Sequence, residues 1–153
     1  MRSIRAERIG SANFGAFGSV ARFPTSAPLA ETTQFKYWAD QAHFGVEGET
    51  EIGYCTVVRP AGGLVDWVER HERTPEVLIP IDVPVILPVM KDDRVAAFEV
   101  HPGEAAVVAQ NVWHSACLPL HAAEASYFVV FRRGTPQEDV IKQSLEEPVR
   151  IEP

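Results

Sequence analysis

The stretch that decides the fold is residues 63–76, GLVDWVERHERTPE. The strand period of two places four of its side chains on one face: Val65, Trp67, Glu69 and His71. Because an apolar face normally turns inward, the side chains of Glu69 and His71 are expected to line a cavity. Burying a neutral polar group without a hydrogen-bond partner costs roughly 2–7 kcal/mol. Glu76 opens the next apolar run after a turn, so Glu69, His71 and Glu76 are expected to converge on one point. A metal ion or a small polar substrate requires such a convergence.

The composition predicts one compact domain over residues 1–153. The chain has 153 residues, of which 46% are hydrophobic, and its formal net charge is −7. An acidic protein of this kind is a poor partner for nucleic acid. No apolar run reaches the ~18 residues that a membrane span needs, and the charged start MRSIRAERIG does not resemble a secretory signal. We therefore expect a cytoplasmic protein with neither nucleic acid nor membrane as a partner.

The second half of the chain reads as a series of short strands. From residue 53, runs rich in Val, Ile, Phe and Tyr alternate with turns: GYCTVV, LVDWVERH, EVLIPI, PVILPVM, RVAAFEV, AAVVAQ, NVWHSACL and ASYFVVF. Eight short strands at near-regular spacing predict an all-β sandwich or barrel. In the tail TPQEDVIKQSLEE, Val140, Ile141 and Leu145 have helical spacing, which predicts one short C-terminal helix packed outside.

A second polar cluster follows the glycine turn at residues 101–103. Gly103 precedes a strand-like run and then Val112-Trp113-His114. Together the two halves resemble the paired motifs of the cupin family, G-x5-H-x-H-x(3–4)-E-x6-G and G-x5-P-x-G-x2-H. The resemblance implies a double-stranded β-helix, or jelly-roll barrel, whose ligand positions hold a metal: Glu69, His71, Glu76 and His114. Four positions depart from the motifs: Glu69, Val83, Ala109 and Asn111.

Within the cupins, the chain is similar to the ureidoglycolate lyase family. The runs ERH (69–71), LIP (78–80) and NVWH (111–114) resemble signatures of that family. The similarity extends to NFGAFGSV (13–20) and FVVFRRG (128–134). The family usually has other residues at three positions, namely His, Pro and Gln where this chain has Asp66, Glu72 and Glu76. The similarity therefore spans most of the chain and implies a carbon–nitrogen lyase of allantoin degradation, within purine catabolism.

This resemblance implies that a metal-bound ureidoglycolate loses its hydroxyl proton and breaks into glyoxylate and urea. Two imidazoles and two carboxylates suit Mn, Ni, Fe or Zn. The leaving nitrogen needs a general acid, and Glu69 or Glu76 is the candidate, since a carboxyl in an apolar cavity is expected to have a raised pKa. Arg133 or Arg59 is the candidate to bind the substrate carboxylate. Cupins are usually dimers, so a homodimer is expected.

Other interpretations of these residues stay open at this point. The protein could be another metal-dependent cupin enzyme, such as an isomerase or an oxygenase that acts on a small hydroxy or keto acid. It could also be a ligand-binding cupin without turnover. His71 and His114 are core residues in the plainest interpretation, and Glu69 and Glu76 could turn outward after a bulge. Trp67 and Trp113 are expected as substrate-binding cavity wall or as simple core. Each of the two arginines could equally be a surface residue paired to an acid.

Overall fold

The computed structural model describes residues 1–153. Its fifteen strands are β1 (Arg2–Arg5), β2 (Glu7–Arg8), β3 (Gly18–Ala21), β4 (Ala30–Glu31), β5 (Lys36–Tyr37), β6 (Thr50–Val58), β7 (Leu64–Arg70), β8 (Glu76–Pro80), β9 (Val85–Lys91), β10 (Arg94–Val100), β11 (Ala105–Val108), β12 (Trp113–His114), β13 (Leu118–Pro119), β14 (Glu124–Arg132) and β15 (Ile141–Glu152). Two one-turn helices, α1 (Ser11–Phe14) and α2 (Thr135–Glu138), and a 3₁₀ turn (Ala61–Gly63) complete it. None of these helices has the length and apolar character needed to cross a membrane.

The strands form two facing sheets and one small hairpin. The larger sheet has the order β1-β15-β7-β12-β9-β10-β2, with β13 also paired to β9. The smaller sheet has the order β3-β11-β8-β14-β6, and β4 and β5 pair only with each other. All pairs are antiparallel except β1 with β15 and β2 with β10. The prediction of an all-β barrel is confirmed, and every one of the eight strand-like runs contains a strand.

Burial on both faces of the larger sheet explains its continuous apolar strands. Along β9, Leu87 and Val89 point into a core cluster shared with the smaller sheet. The alternating residues Ile86 and Met90 belong to a second cluster. Because both faces are covered, β9 reads as an unbroken apolar run. The site described below lies where β7, β8 and β12 bring polar residues to the edge of the first cluster.

The C-terminal segment differs from the sequence prediction. Helical structure is confined to the single turn α2, and Ile141–Glu152 is a strand paired with β7 and β1. The segment in which apolar residues have helical spacing is short, and an isolated helix of that length is only marginally stable. Backbone hydrogen bonds to the edge of β7 stabilise this segment more than a helix would. Strand pairing therefore overrides the helical pattern of the sequence.

The side-chain alternation predicted for β7 also breaks. Val65 packs in the same apolar cluster as Val68, although a regular strand would place them on opposite faces. The break coincides with a shift in the pairing with β15, where the register changes between Ser144 and Val149. Glu69 and His71, which lie beyond this irregularity, keep their common orientation toward one cavity.

Candidate metal centre

Two histidines lie side by side at the end of β7 and in β12. Their ring centroids are 5.0 Å apart, and each residue is 3% exposed. His114 stands directly opposite Glu69 in the pairing of β12 with β7. Asn111, whose φ of +66° is left-handed, donates its backbone N–H to the carbonyl of His71 at 2.9 Å. Asn tolerates this conformation, so the corner before β12 brings the two motifs together.

Hydrogen bonds fix the orientation of both imidazoles. His71 Nδ1 lies 2.8 Å from the carbonyl oxygen of Asp139, and His114 Nδ1 lies 3.1 Å from that of Val112. A carbonyl only accepts, so in each ring Nδ1 carries the proton. In the neutral ring, Nε2 is then left with its lone pair. Both Nε2 atoms are buried without a hydrogen-bond partner, which is the condition of a ligand prepared for a metal.

Two carboxylates approach these two nitrogen atoms. Glu76 Oε2 lies 2.6 Å from His114 Nε2, but the contact is not aligned as a hydrogen bond. Glu76 Oε1 lies 3.9 Å from His71 Nε2, and Glu69 Oε1 lies 4.0 Å from His114 Nε2. Ligand atoms of Glu69, His71 and His114 all lie within 4.8 Å of one another. Imidazole and carboxylate donors at this separation fit a divalent transition metal.

In the metal-free protein, burial and the neighbouring charged groups shift each pKa of the site in opposite directions. Burial would raise the pKa of Glu76, but the imidazoles of His114 and His71 outweigh it and lower the pKa to about 2. Burial would lower the pKa of each imidazole, but the Glu76 carboxylate outweighs it, so both histidine pKa values are raised. The expectation that a cavity carboxyl is kept protonated is therefore wrong for Glu76, which is ionised because it faces two imidazoles.

A cavity of about 730 Å³ opens in front of these four residues. The part of its wall that the smaller sheet forms is mainly apolar and consists of Leu78, Tyr127, Val129 and Phe131. Phe131 packs edge-on against the His71 ring at 5.8 Å between centroids. A volume of this size with a few convergent polar groups is typical of a small-molecule site.

Two arginines expected at the substrate lie elsewhere. The guanidinium of Arg59 donates to the carbonyl oxygens of Pro119 at 2.9 Å and Ile151 at 3.5 Å, where it ties β13 to β15. Arg133 is 72% exposed and pairs with Glu49 at 2.7 Å. Neither residue lines the cavity. Arg133 has the contact of the plainer interpretation, a surface arginine paired to an acid, whereas Arg59 binds two main-chain carbonyl oxygens and no acid.

The two tryptophans do not line the cavity. Arg70 lies over the ring of Trp113 at 5.0 Å, and Lys142 lies over the ring of Trp67 at 4.8 Å. Each ring therefore makes a cation–π contact with a basic side chain. The position of a cavity wall is taken instead by residues of β14, which face inward from the smaller sheet.

Sequence reasoning missed Asp139 and Lys142. Asp139 ends α2, and its carboxylate accepts the backbone N–H groups of Glu72 at 3.0 Å and Arg73 at 2.9 Å. Its own carbonyl holds His71. Lys142 lines the cavity from β15. Both lie in the segment predicted as an external helix, so no pattern in the sequence connected them with the two motifs.

Comparison with known proteins identifies a family and a relative. The sequence profile of the family described as ureidoglycolate lyase matches residues 1–152. A Rhizobium meliloti protein named ureidoglycolate lyase 2 is 34% identical over 91 residues, which are 56% of this chain and 55% of that protein. The chain therefore matches about half the length of this relative.

Among solved structures, the chain is similar in shape to oxalate decarboxylases. The Lactobacillus farciminis enzyme in a formate complex has 14% identity and a TM-score of 0.48, over 61% of this chain and 26% of that one. The Bacillus subtilis enzyme at pH 4.6 has 16% identity and a TM-score of 0.47, over 64% of this chain and 24% of that one.

Proposed function

This chain belongs to the ureidoglycolate lyase family, and on that premise we propose that it cleaves ureidoglycolate to glyoxylate and urea. The observation that carries the proposal is the pair of buried Nε2 atoms, of His71 and His114, that face one cavity and make no hydrogen bond. Glu69 and Glu76 supply the carboxylates beside them. The cavity, of about 730 Å³, is large enough to admit this substrate.

We propose that His71, His114 and Glu69 hold a divalent metal, with Mn, Ni, Fe and Zn as the candidates. Their ligand atoms lie close enough to share one ion. A metal in such a set supplies a Lewis acid that lowers the pKa of a bound hydroxyl group. The Nδ1 hydrogen bonds to Asp139 and Val112 keep both rings in the tautomer that such binding requires.

Glu76 is the residue to which we assign proton transfer. It is ionised and buried beside both imidazoles. In the proposed reaction its carboxylate takes the proton of the substrate hydroxyl as that oxygen forms the carbonyl of glyoxylate. The carbon–nitrogen bond breaks, its electron pair stays on nitrogen, and the same carboxyl returns the proton there to release urea. No other reactant is needed.

The setting of the activity is part of the same proposal. We propose that residues 1–153 act as a single cupin domain in a cytoplasmic homodimer that takes part in allantoin degradation, within purine catabolism. The substrate is a small carboxylate. The outward side of β6 supports the dimer, because Ile52, Tyr54 and Val58 are exposed there on a strand with one unpaired edge.

The proposal is tested by urea release from ureidoglycolate with purified protein of known metal content. His71→Ala is the matched variant, and His43→Ala is the control because His43 is exposed and pairs only with Asp40. We expect the wild type and His43→Ala to bind metal and release urea. His71→Ala is expected to lose at least about 100-fold in metal affinity and in rate, since even the partners of ligands are worth 10–100-fold.

Two outcomes would overturn the proposal. Bound metal without urea release above the protein-free rate would mean that the substrate is another hydroxy or keto acid. Absence of metal binding, together with tight binding of a small molecule, would indicate a ligand-binding protein without turnover.

A further inference from the structure

The cavity has a marked imbalance of charge. Three carboxylates line it, those of Glu51, Glu69 and Glu76. An anionic substrate needs a fixed positive group in this setting, besides a metal. Lys142 is the only lysine or arginine in the lining.

Lys142 is placed at the site by the pairing of β15 with β7. It stands directly opposite Glu69 in that ladder. Its Nζ lies 4.8 Å from the centroid of the Trp67 ring. A cation over an aromatic face gains about 0.5–1 kcal/mol at an exposed site. Trp67 therefore favours one position of the exposed Lys142 side chain, at the cavity mouth.

The ammonium group of Lys142 makes no hydrogen bond and no ion pair within the protein, although Glu69 is its cross-strand neighbour. The lysines Lys36 and Lys91, by contrast, bind an acid or a main-chain carbonyl. The ring of Trp67 offers no hydrogen-bond acceptor of the usual kind, so none of the three N–H donors of the exposed ammonium has a protein partner. A positioned cation with free donors beside a polar cavity is what a carboxylate ligand requires.

We propose that Lys142 is the residue that binds the carboxylate of the substrate, with Trp67 as the platform that positions it. The identity of the substrate as ureidoglycolate rests on the proposed function, whereas the preference for a carboxylate does not. Lys142 thereby takes the role that sequence reasoning gave to Arg59 and Arg133. The site is expected to prefer an acid over the corresponding amide, because only the acid matches the charge of Lys142.

The test compares binding of glycolate and glycolamide to the metal-loaded protein by calorimetry. These probes differ only in the carboxylate. In Lys142→Gln the affinity for glycolate is expected to fall by about 10- to 100-fold, the usual range for a charged hydrogen bond, and the affinity for glycolamide is expected to stay unchanged. Lys142→Arg is expected to restore part of the loss. Lys36→Gln is the control, because Lys36 is exposed and pairs with Glu31 in the β4–β5 hairpin.

Metal content and steady-state kinetics separate this role from a structural one. A binding role predicts that Lys142→Gln keeps its metal and that the KM for ureidoglycolate rises more than kcat falls. Equal loss of glycolate and glycolamide, or loss of the metal, would overturn the proposal, since Lys142 would then act through Glu69. Unchanged glycolate affinity would overturn it as well.

The failure of this proposal is distinguishable from the failure of the proposed function. If the wild type releases no urea but Lys142→Gln weakens glycolate alone, Lys142 is a carboxylate-binding residue in an enzyme of another acid. If urea is released with the same KM by both proteins, the lyase stands and the assignment of Lys142 is refuted.

Discussion

Glu76 is the buried carboxylate between two imidazoles, and its ionisation links the site to the stability of the metal-free protein. Folding lowers its pKa from 4.5 to about 2, because His114 and His71 outweigh the effect of burial. Such a group contributes stability above its unfolded pKa and loses it as the pH falls. The two histidines have raised pKa values, so their contribution is complete below pH 6.5 and is lost as the pH rises through the folded pKa.

The metal-free protein is therefore expected to be most stable between pH 4.5 and pH 6.5. Acidification from there to pH 2 is expected to cost up to about 3 kcal/mol from Glu76 alone, at about 1.4 kcal/mol per pKa unit. In Glu76→Gln both the acidic and the alkaline loss become smaller, because the charge that favours imidazolium is gone. Guanidinium unfolding at a series of pH values measures this, and parallel curves for the two proteins would contradict it.

Motif spacing identifies the residues that meet in the cavity but not those that support them. Glu69, His71, Glu76 and His114 follow from two short patterns, because a strand period and a turn fix local direction. Lys142 carries no such signal. Its position depends on which strand β15 pairs with, and that contact spans half the chain.

At the scale of elements, the turn that ends α2 holds the segment after β7. The Asp139 carboxylate accepts two backbone N–H groups, those of Glu72 and Arg73, while its carbonyl accepts the Nδ1 proton of His71. Asp139→Ala is expected to cost about 2–3 kcal/mol, since two part-buried donors lose a charged acceptor. Metal affinity is expected to fall about 10-fold, because the His71 ring is less well held.

Asp66→Ala is the control for this variant. Asp66 is an exposed residue of β7 that makes no hydrogen bond or ion pair. Its loss is expected to change the free energy of unfolding by less than about 0.5 kcal/mol. Guanidinium unfolding and metal titration of both variants give the comparison. Equal free energies of unfolding of the two variants would show that the Asp139 contacts do not stabilise the protein.

Strands within the barrel are predictable from sequence, whereas the tail is not. Alternating or continuous apolar runs between turn residues identify all eight predicted strands, since burial of a strand face leaves a direct pattern. The segment Ile141–Glu152 has long exposed stretches and little alternation. It becomes a strand because β7 and β1 offer hydrogen-bond partners, which only the assembled sheet provides.

At the scale of the whole molecule, the outer face of the smaller sheet is apolar and exposed. Ile52 and Val58 are 73% and 68% exposed, and Tyr54 stacks edge-on against Phe128 at 5.7 Å between centroids. The proposed homodimer would cover this face. Ile52→Arg/Val58→Arg is therefore expected to raise the dimer dissociation constant at least about 100-fold, since charges left unpaired in an interface cost several kcal/mol.

Sedimentation equilibrium measures this effect. Gln143→Arg is the control, because Gln143 is an exposed residue of β15 on the other sheet. Its dimer is expected to be as stable as that of the wild type. A monomeric wild type would refute the dimer, and a dimer that the double variant leaves intact would place the interface on another face.

The pairing of β7 with β15 has a consequence for protein synthesis. β7 supplies Glu69 and leads into His71, and its neighbours in the sheet are β12 and β15. While β15 is still inside the ribosome, β7 has an open edge, and neither Asp139 nor Lys142 has reached its place. Strand pairing over such a distance in sequence is slow and comes late in folding. Metal capture is therefore expected only after β15 has been synthesised and has paired with β7, and the twelve residues of β15, which provide no metal ligand, set its timing.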